Sequence, residues 1–193
     1  MMRIITGKAK GIKLLTLPGD NTRPTSEMAK EAIFSAIQFE LQDRFVLDLF
    51  AGSGQMGLEA LSRGAKKAMF IDSSADAMDI VKKNAVKTNF FDSSRFLISD
   101  YRNYIRKAAG RDLYDLIFID PPYADRSVID AVERILKSGI ANEGCIFVLE
   151  SGEDIGFESS EVFGEKFELI KKQKYGRAFV TILRFKGENK NEG

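Results

Sequence analysis

Asp120-Pro121-Pro122-Tyr123 stands directly behind the apolar run Leu116–Ile119. These residue types in this order suit the activation of an aromatic amine. An exocyclic ring nitrogen is a poor nucleophile because its lone pair is delocalised into the ring. The Asp120 carboxylate and the Pro121 carbonyl could accept its two N–H bonds, draw the nitrogen toward tetrahedral geometry and aim its lone pair at an electrophile. Consecutive prolines stiffen the loop, so both acceptors are in place before a substrate arrives. Tyr123 adds a face on which an extruded base can stack. In isolation the same tetrapeptide also reads as a rigid turn that ends a strand.

The electrophile is suggested by a second motif. Val46-Leu47-Asp48-Leu49-Phe50 empties into Ala51-Gly52-Ser53-Gly54-Gln55-Met56-Gly57. Glycines permit a tight turn and close backbone approach to a ligand, and a helix behind the loop offers free N–H groups. The G-x-G-x-x-G pattern alone is shared with NAD enzymes. Asp48 favours S-adenosylmethionine: a carboxylate at the strand end can hold the loop and attract an amino group or sulfonium, but sits badly against a pyrophosphate. The cofactor set therefore begins with Asp48, Phe50, Ala51, Gly52, Ser53 and Gly54. Asp72 ends a second strand, where it could accept both ribose hydroxyls or cap the next helix. Asp100 and Tyr101 after a third strand complete the cofactor set; Asp100 could accept an adenine amino group or act as a cap.

Composition narrows the chemistry further. There is no histidine, which removes imidazole bases, His-based triads and His-ligated metals. Cys145 is the only cysteine and lies in Cys145-Ile146-Phe147-Val148-Leu149, a buried-thiol setting without a possible internal disulfide. No run approaches about 18 apolar residues, so no membrane span is expected. The start of the chain lacks the apolar block of a secretory signal, and a cytoplasmic protein is the plain reading. Net charge is only +1, but Arg3, Lys8, Lys10 and Lys13 precede the first acid, and Lys166, Lys171, Lys172, Lys174 and Arg177 gather later. Such clusters are usually solvated faces and gain meaning beside a nucleic-acid chemistry.

The elements that must position these residues alternate. Residues 3–17 suggest a short β-hairpin. A helix follows Pro24, capped by Thr25 or Ser26, with Ala29, Ile33, Ala36 and Ile37 on one face. Apolar strands are expected at Phe45–Phe50, Ala68–Ile71, Phe96–Ile98, Leu116–Ile119 and Ile146–Leu149, with helices near 55–63, 74–88, 101–109 and 127–138. Continuous apolar strands separated by helices imply an α/β fold, a parallel sheet covered on both faces. Phe167–Lys172 and Ala178–Phe185 flank Tyr175-Gly176 as a closing antiparallel hairpin.

Beyond these motifs the chain resembles the bacterial RsmD-type 16S ribosomal RNA guanine-N2 methyltransferases. The matching stretches are Arg3-Ile4-Ile5-Thr6-Gly7 with Gly11, Thr22-Arg23-Pro24-Thr25-Ser26, Glu31-Ala32-Ile33-Phe34, Val46 to Gly54, Gly57-Leu58-Glu59-Ala60-Leu61-Ser62-Arg63-Gly64-Ala65, Asp120 to Tyr123 and Lys174-Tyr175-Gly176. They run in order along nearly the whole chain. The resemblance implies a class I methyltransferase, a Rossmann-like doubly wound fold, with S-adenosylmethionine as cofactor. It implies transfer to the N2 of a guanine in 16S ribosomal RNA, acting on an assembling 30S subunit. It also implies that Asp48, Gly52, Gly54, Asp72 and Asp100 serve the cofactor, and Asp120, Pro121, Pro122 and Tyr123 the base. Asp72 and Ser99 stand where that family often carries Glu and usually carries Gly, and the segment is less basic at Ala9 and Ile12.

The expected organisation is an RNA-contacting extension over 1–40, a methyltransferase domain over 41–186 and a tail over 187–193, in a monomer. Arg3, Lys8, Lys10, Lys13, Arg23 and Thr25 are the candidate RNA contacts. Three rivals stand beside this reading. An adenine-N6 methyltransferase acting on DNA or RNA would use the same Asp-Pro-Pro-Tyr acceptors. A non-catalytic RNA-binding module is opposed by the intact Asp120 and glycine loop. An NAD-dependent oxidoreductase is opposed by Asp48 and by the lack of a hydride-transfer partner.

Overall fold

The computed structural model describes residues 2–17, 24–121, 125–156 and 161–187. In chain order the elements are α1 (Pro24–Ala36), β1 (Phe45–Asp48), α2 (Gln55–Ser62), β2 (Lys67–Asp72), α3 (Ala75–Lys87), a 3₁₀ turn (Phe91–Ser93) and β3 (Ser94–Ile98). Then come α4 (Tyr101–Ala108), β4 (Tyr114–Ile119), α5 (Asp125–Ser138), β5 (Ala141–Ser151), α6 (Glu161–Lys166), β6 (Phe167–Tyr175) and β7 (Ala178–Phe185). The strands form one sheet in the order β3-β2-β1-β4-β5-β7-β6. The first five are parallel to their neighbours, and β7 is antiparallel to both β5 and β6. This is the doubly wound class I methyltransferase fold.

Period-two alternation on the central strands divides the core into two layers. Val46, Leu116, Phe118, Ile146 and Val148 pack with α1, α2 and α3 on one face. Leu47, Leu49, Ile117, Ile119, Cys145, Phe147 and Leu149 pack with α4, α5 and α6 on the other. Apolar residues at consecutive positions are therefore required, because each face has its own helical cover. Cys145 lies fully inside the second layer.

Several boundaries differ from the sequence reading. The helix α1 starts at Pro24, so Thr25 and Ser26 fall within its first turn rather than capping it. A proline suits that first helical position because its missing N–H has no partner there in any helix. On the same helix Ala36 is exposed and Phe34 is buried beside Ile33 and Ile37. The phenyl ring offers the larger apolar area, and it packs against Phe118 with centroids 5.8 Å apart. The strand β5 is longer than its apolar core, and α6 lacks the apolar periodicity that announces longer helices. Among the described residues no helix is long and apolar enough to cross a membrane.

Residues 2–17 turn back antiparallel on themselves. Arg3 and Lys13 form a bridge, Ile4 N–H donates to the Ile12 carbonyl at 3.0 Å and Leu14 N–H to that of Met2 at 3.0 Å. This short segment cannot cover its own apolar side chains. Ile4, Ala9 and Leu14 are instead buried in the same layer as α1 and β1. Polar clasps hold it there. The fully buried Glu59 of α2 accepts the N–H groups of Ile5 (2.7 Å) and Thr6 (3.0 Å) and the Arg63 Nε (2.8 Å). Lys30 of α1 donates to the Arg3 carbonyl at 2.6 Å and lies 3.7 Å from Glu59. Burial lowers the Lys30 pKa, while Glu59 and Glu27 favour the charged form.

Candidate active site

The strand order reverses between β1 and β4, and open α/β sheets bind ligands beyond the carboxyl ends of strands at such a point. The loop after β1 is tied to both neighbours: Leu49 N–H donates to the Phe118 carbonyl (3.1 Å) and Ala51 N–H to that of Ile71 (2.8 Å). Asp48, 4% exposed, accepts the Gly57 N–H at 3.0 Å and so anchors the first turn of α2. Burial raises its pKa to about 7; the Gly57 hydrogen bond opposes this and the Asp72 charge adds to it. A cation placed nearby would restore the ionised form.

The loop glycines answer different demands. Gly52 has φ +53°, and a Cβ there would point into open space, the side from which a ligand can approach the backbone. At Gly54 a Cβ would press on Val81 at 2.9 Å, and at Gly57 it would enter the Phe70 ring. The second pair serves packing of the loop and α2 against α3 and β2. Ser53 is buried, with its hydroxyl on the Met2 sulfur at 3.0 Å. Asn84 of α3 donates to the carbonyls of Ser53 (2.9 Å) and Leu15 (3.0 Å) and accepts the Leu15 N–H (2.8 Å). One buried amide therefore joins the glycine loop to the N-terminal segment.

Asp72 closes β2. Its two oxygens accept the N–H groups of Gly52 (2.9 Å) and Ser74 (2.8 Å), and Ser74 is the cap of α3. Each carboxylate oxygen keeps a second lone pair for a ligand hydroxyl. Asp100 is the N-cap of α4, accepting from Arg102 (2.9 Å) and Asn103 (3.4 Å), as its alternative reading expected. Ser99 N–H bonds the Asp72 carbonyl at 2.9 Å and draws this turn beside Asp72. Tyr101 is buried, donates to Asp130 at 2.6 Å and supports the half-buried Phe50 ring at 5.1 Å. Sequence reasoning passed over Ile98, half exposed and in register with Asp72, which offers the apolar surface a purine ring needs.

Asp120 follows β4 on the far side of the switch point. Its side chain is exposed at the carboxyl end of the sheet. Surrounding protein, then Glu150 and Asp48, raise its pKa well above the ordinary carboxylate value. Pro121 is half buried beside it, and Pro122 and Tyr123 lie outside the described residues. Glu150, the last acid of β5, was not singled out from the sequence; an acid ending the run Cys145–Leu149 was the available signal.

The structure thus gathers Asp48, Gly52, Gly54, Asp72, Asp120 and Glu150 at one end of the sheet. Of the candidate RNA residues, Arg3, Lys8, Lys10 and Lys13 are all exposed on the folded-back segment. Arg23 and the Thr25 side chain lie outside the described residues. Of the later lysines, Lys166 ends α6 and Lys171, Lys172 and Lys174 line β6, an edge strand, where Lys172 pairs with Asp154 at 2.7 Å and Lys174 lies over Phe179. Among the described residues no cluster of acids and cysteine could hold a metal ion.

A doubly wound sheet with a glycine turn after β1, acids after β1 and β2, and an Asp-Pro-Pro motif after β4 defines an S-adenosylmethionine-dependent methyltransferase. The chain belongs to the family described as Conserved hypothetical protein 95, whose model matches residues 2–184. It is 33% identical over 187 residues to the Bacillus subtilis (strain 168) protein named "Putative rRNA methyltransferase YlbH", covering 96% of this chain and all of that one (100%). It is 30% identical over 148 residues to "Ribosomal RNA small subunit methyltransferase D" of Escherichia coli (strain K12), covering 76% and 73% of the two chains. The solved structure of "Putative methyltransferase yhhF from Escherichia coli" superposes with a TM-score of 0.84 at 25% identity, over 97% of this chain and 99% of that one.

The site fits S-adenosylmethionine on its own chemistry. Gly52 leaves backbone approachable, Asp72 retains lone pairs for hydroxyls, and the buried Asp48 lacks a cation among the described residues. With Asp72 proposed as the ribose acceptor, its replacement by alanine is expected to weaken cofactor binding by about tenfold to a hundredfold, the loss of two hydrogen bonds to a carboxylate. Titration calorimetry checks this, and unchanged affinity removes Asp72 from the cofactor site.

Proposed function

We propose that this chain methylates the exocyclic N2 of a guanine in 16S ribosomal RNA, acting in the cytoplasm as a monomer on the assembling small subunit. The observation that carries the reading is Asp120-Pro121 at the end of β4, directly across the switch point from the Gly52–Gly54 turn. The names of the B. subtilis and E. coli relatives supply the ribosomal RNA substrate.

Asp48 holds the loop and α2 while its charge favours a cationic ligand. Asp72 and Ile98 take the ribose and the purine face, and Asp100 with Phe50 borders the same end. When bound there, S-adenosylmethionine supplies an electrophilic methyl group. Asp120 and the Pro121 carbonyl accept the two N2–H bonds and turn the nitrogen lone pair toward that methyl. The nitrogen would gain the methyl carbon as that carbon's bond to sulfur breaks, the electron pair staying on the departing thioether, and would shed one proton, which the Asp120 carboxylate, raised in pKa, is suited to receive. Tyr123 is proposed as the stacking platform for the extruded base. Residues 1–40 act as the RNA-contacting extension of the methyltransferase domain over 41–186, with 187–193 as a tail.

Mass mapping of ribosomal RNA from cells lacking the gene tests the whole reading. Loss of one N2-methylguanosine from 16S RNA supports it. Loss of an N6-methyladenosine favours the adenine alternative, and an unchanged map overturns both. The proposed extension has its own check. Changing Lys8, Lys10 and Lys13 together to alanine weakens RNA binding and lowers the slope of log affinity against log salt by about 2–3, since each phosphate contact contributes roughly 0.7–0.9. An unaltered slope places the RNA contact elsewhere.

A further inference from the structure

Asp120 has a neighbour in the crevice. Ile119 of β4 is in register with Leu149 of β5, so Asp120 and Glu150 come next to each other at the carboxyl ends of two parallel strands. Alternation on β5 sends Leu149 into the layer of α4 and α5 and leaves Glu150 on the face of Val148. Asp120 follows Phe118 in the same way, and Asp48 shares that face. Across β5, Glu150 is in register with Val180, which is apolar and buried.

Glu150 is half buried, and its side chain has no hydrogen bond or ion pair among the described residues. Its neighbour Ser151 bonds the Glu153 carbonyl at 2.6 Å and closes the strand without involving it. A carboxylate held this way gains no partner from the fold and loses part of its hydration, which makes it available to a donor on a ligand. Burial raises its pKa, as expected for an acid with no cation nearby.

We infer that Glu150 reads the N1–H of the target base and thereby selects guanine over adenine. The inference rests on the guanine-N2 reading above and deepens it. On guanine the N2 amine and the N1–H are adjacent donors along one edge. With the amine held by Asp120 and Pro121, the next group on that edge faces the adjacent strand end. An ionised Glu150 accepts N1–H. Adenine, and any purine with a bare N1, presents a lone pair to that carboxylate and is repelled. The proline-stiffened acceptors position the amine, and Glu150 supplies the discrimination they lack.

The test uses the full chain and an RNA fragment that it methylates, with the target guanosine kept or replaced by 2-aminopurine. That analogue retains the N2 amine and has an acceptor at N1. The wild type is expected to prefer guanine by about a hundredfold in kcat/KM. In Glu150→Gln, whose amide can donate to a bare N1, the preference falls by about tenfold or more, with cofactor affinity unchanged and a melting temperature no lower than that of the wild type. A merely structural Glu150 would alter the rates on both bases together and leave their ratio fixed. An unmoved ratio in Glu150→Gln overturns the inference, as does equal use of both bases by the wild type, which needs no variant to fold. In either case continued guanine methylation leaves the parent reading standing, and its absence brings down both.

Discussion

With alanine at Asp120, methyl transfer falls by about a thousandfold, whereas S-adenosylmethionine binds as before. The factor follows from losing a preorganised acceptor that acts only as the nitrogen leaves planarity. Unfolding does not account for the loss. Asp120 lacks a cation partner among the described residues and is opposed by Glu150 and Asp48, so its removal relieves repulsion. The variant should melt no lower than the wild type. Single-turnover transfer of a labelled methyl group, beside calorimetry of the cofactor, separates chemistry from binding. Unchanged turnover would sink the amine-alignment mechanism. The sign of the pH dependence follows from the same group. Its acceptor role requires the ionised form, so the rate declines as pH falls through a pKa lying well above that of a free aspartate.

Glu59→Ala has its effect on the fold. Three donors, the Ile5 and Thr6 N–H groups and Arg63, lose their acceptor, and Lys30 is left buried beside no carboxylate. Removing one partner of a buried ion pair costs about 3–5 kcal/mol, or roughly 10 °C in melting temperature for a domain of this size. Glu59→Gln, which keeps an acceptor oxygen, falls between the wild type and Glu59→Ala. Thermal unfolding followed by circular dichroism checks both, and a shift of less than about 2 °C in the alanine variant would show that the clasp is dispensable. Protease cleavage within residues 2–17 should rise in step, because this carboxylate holds the segment down.

The glycine turn, its flanking acids and the Asp-Pro-Pro motif were legible in the sequence because each depends on local chemistry. Asp48 anchoring a loop, Asp72 at a strand end and Cys145 in the core all needed only the neighbours along the chain. The two-layer core was legible too, since consecutive apolar residues on a strand demand cover on both faces. What depended on partners distant in sequence was not. Glu59 reads as an ordinary helical acid until Ile5 and Lys30 are brought to it across the fold. Asn84 looks like a solvated helix residue, but it binds the glycine loop and Leu15 at once. Glu150 became visible only when β4 and β5 were aligned. Phe34 displaced Ala36 from the buried face because Phe118 waits opposite, a fact that no helical period contains.

The position of β7 bears on how the protein is made. A chain emerging from the ribosome offers β1 to β5 first, and they can pair in turn as they appear. After that, β5 keeps one backbone edge bare, beside its apolar Cys145–Leu149 run, and β6 has no strand to join. Both wait for residues 178–185, which slot between them. An interrupted translation product would therefore carry an adhesive strand edge prone to aggregation, and nascent chains gain protection only when this last insertion is made.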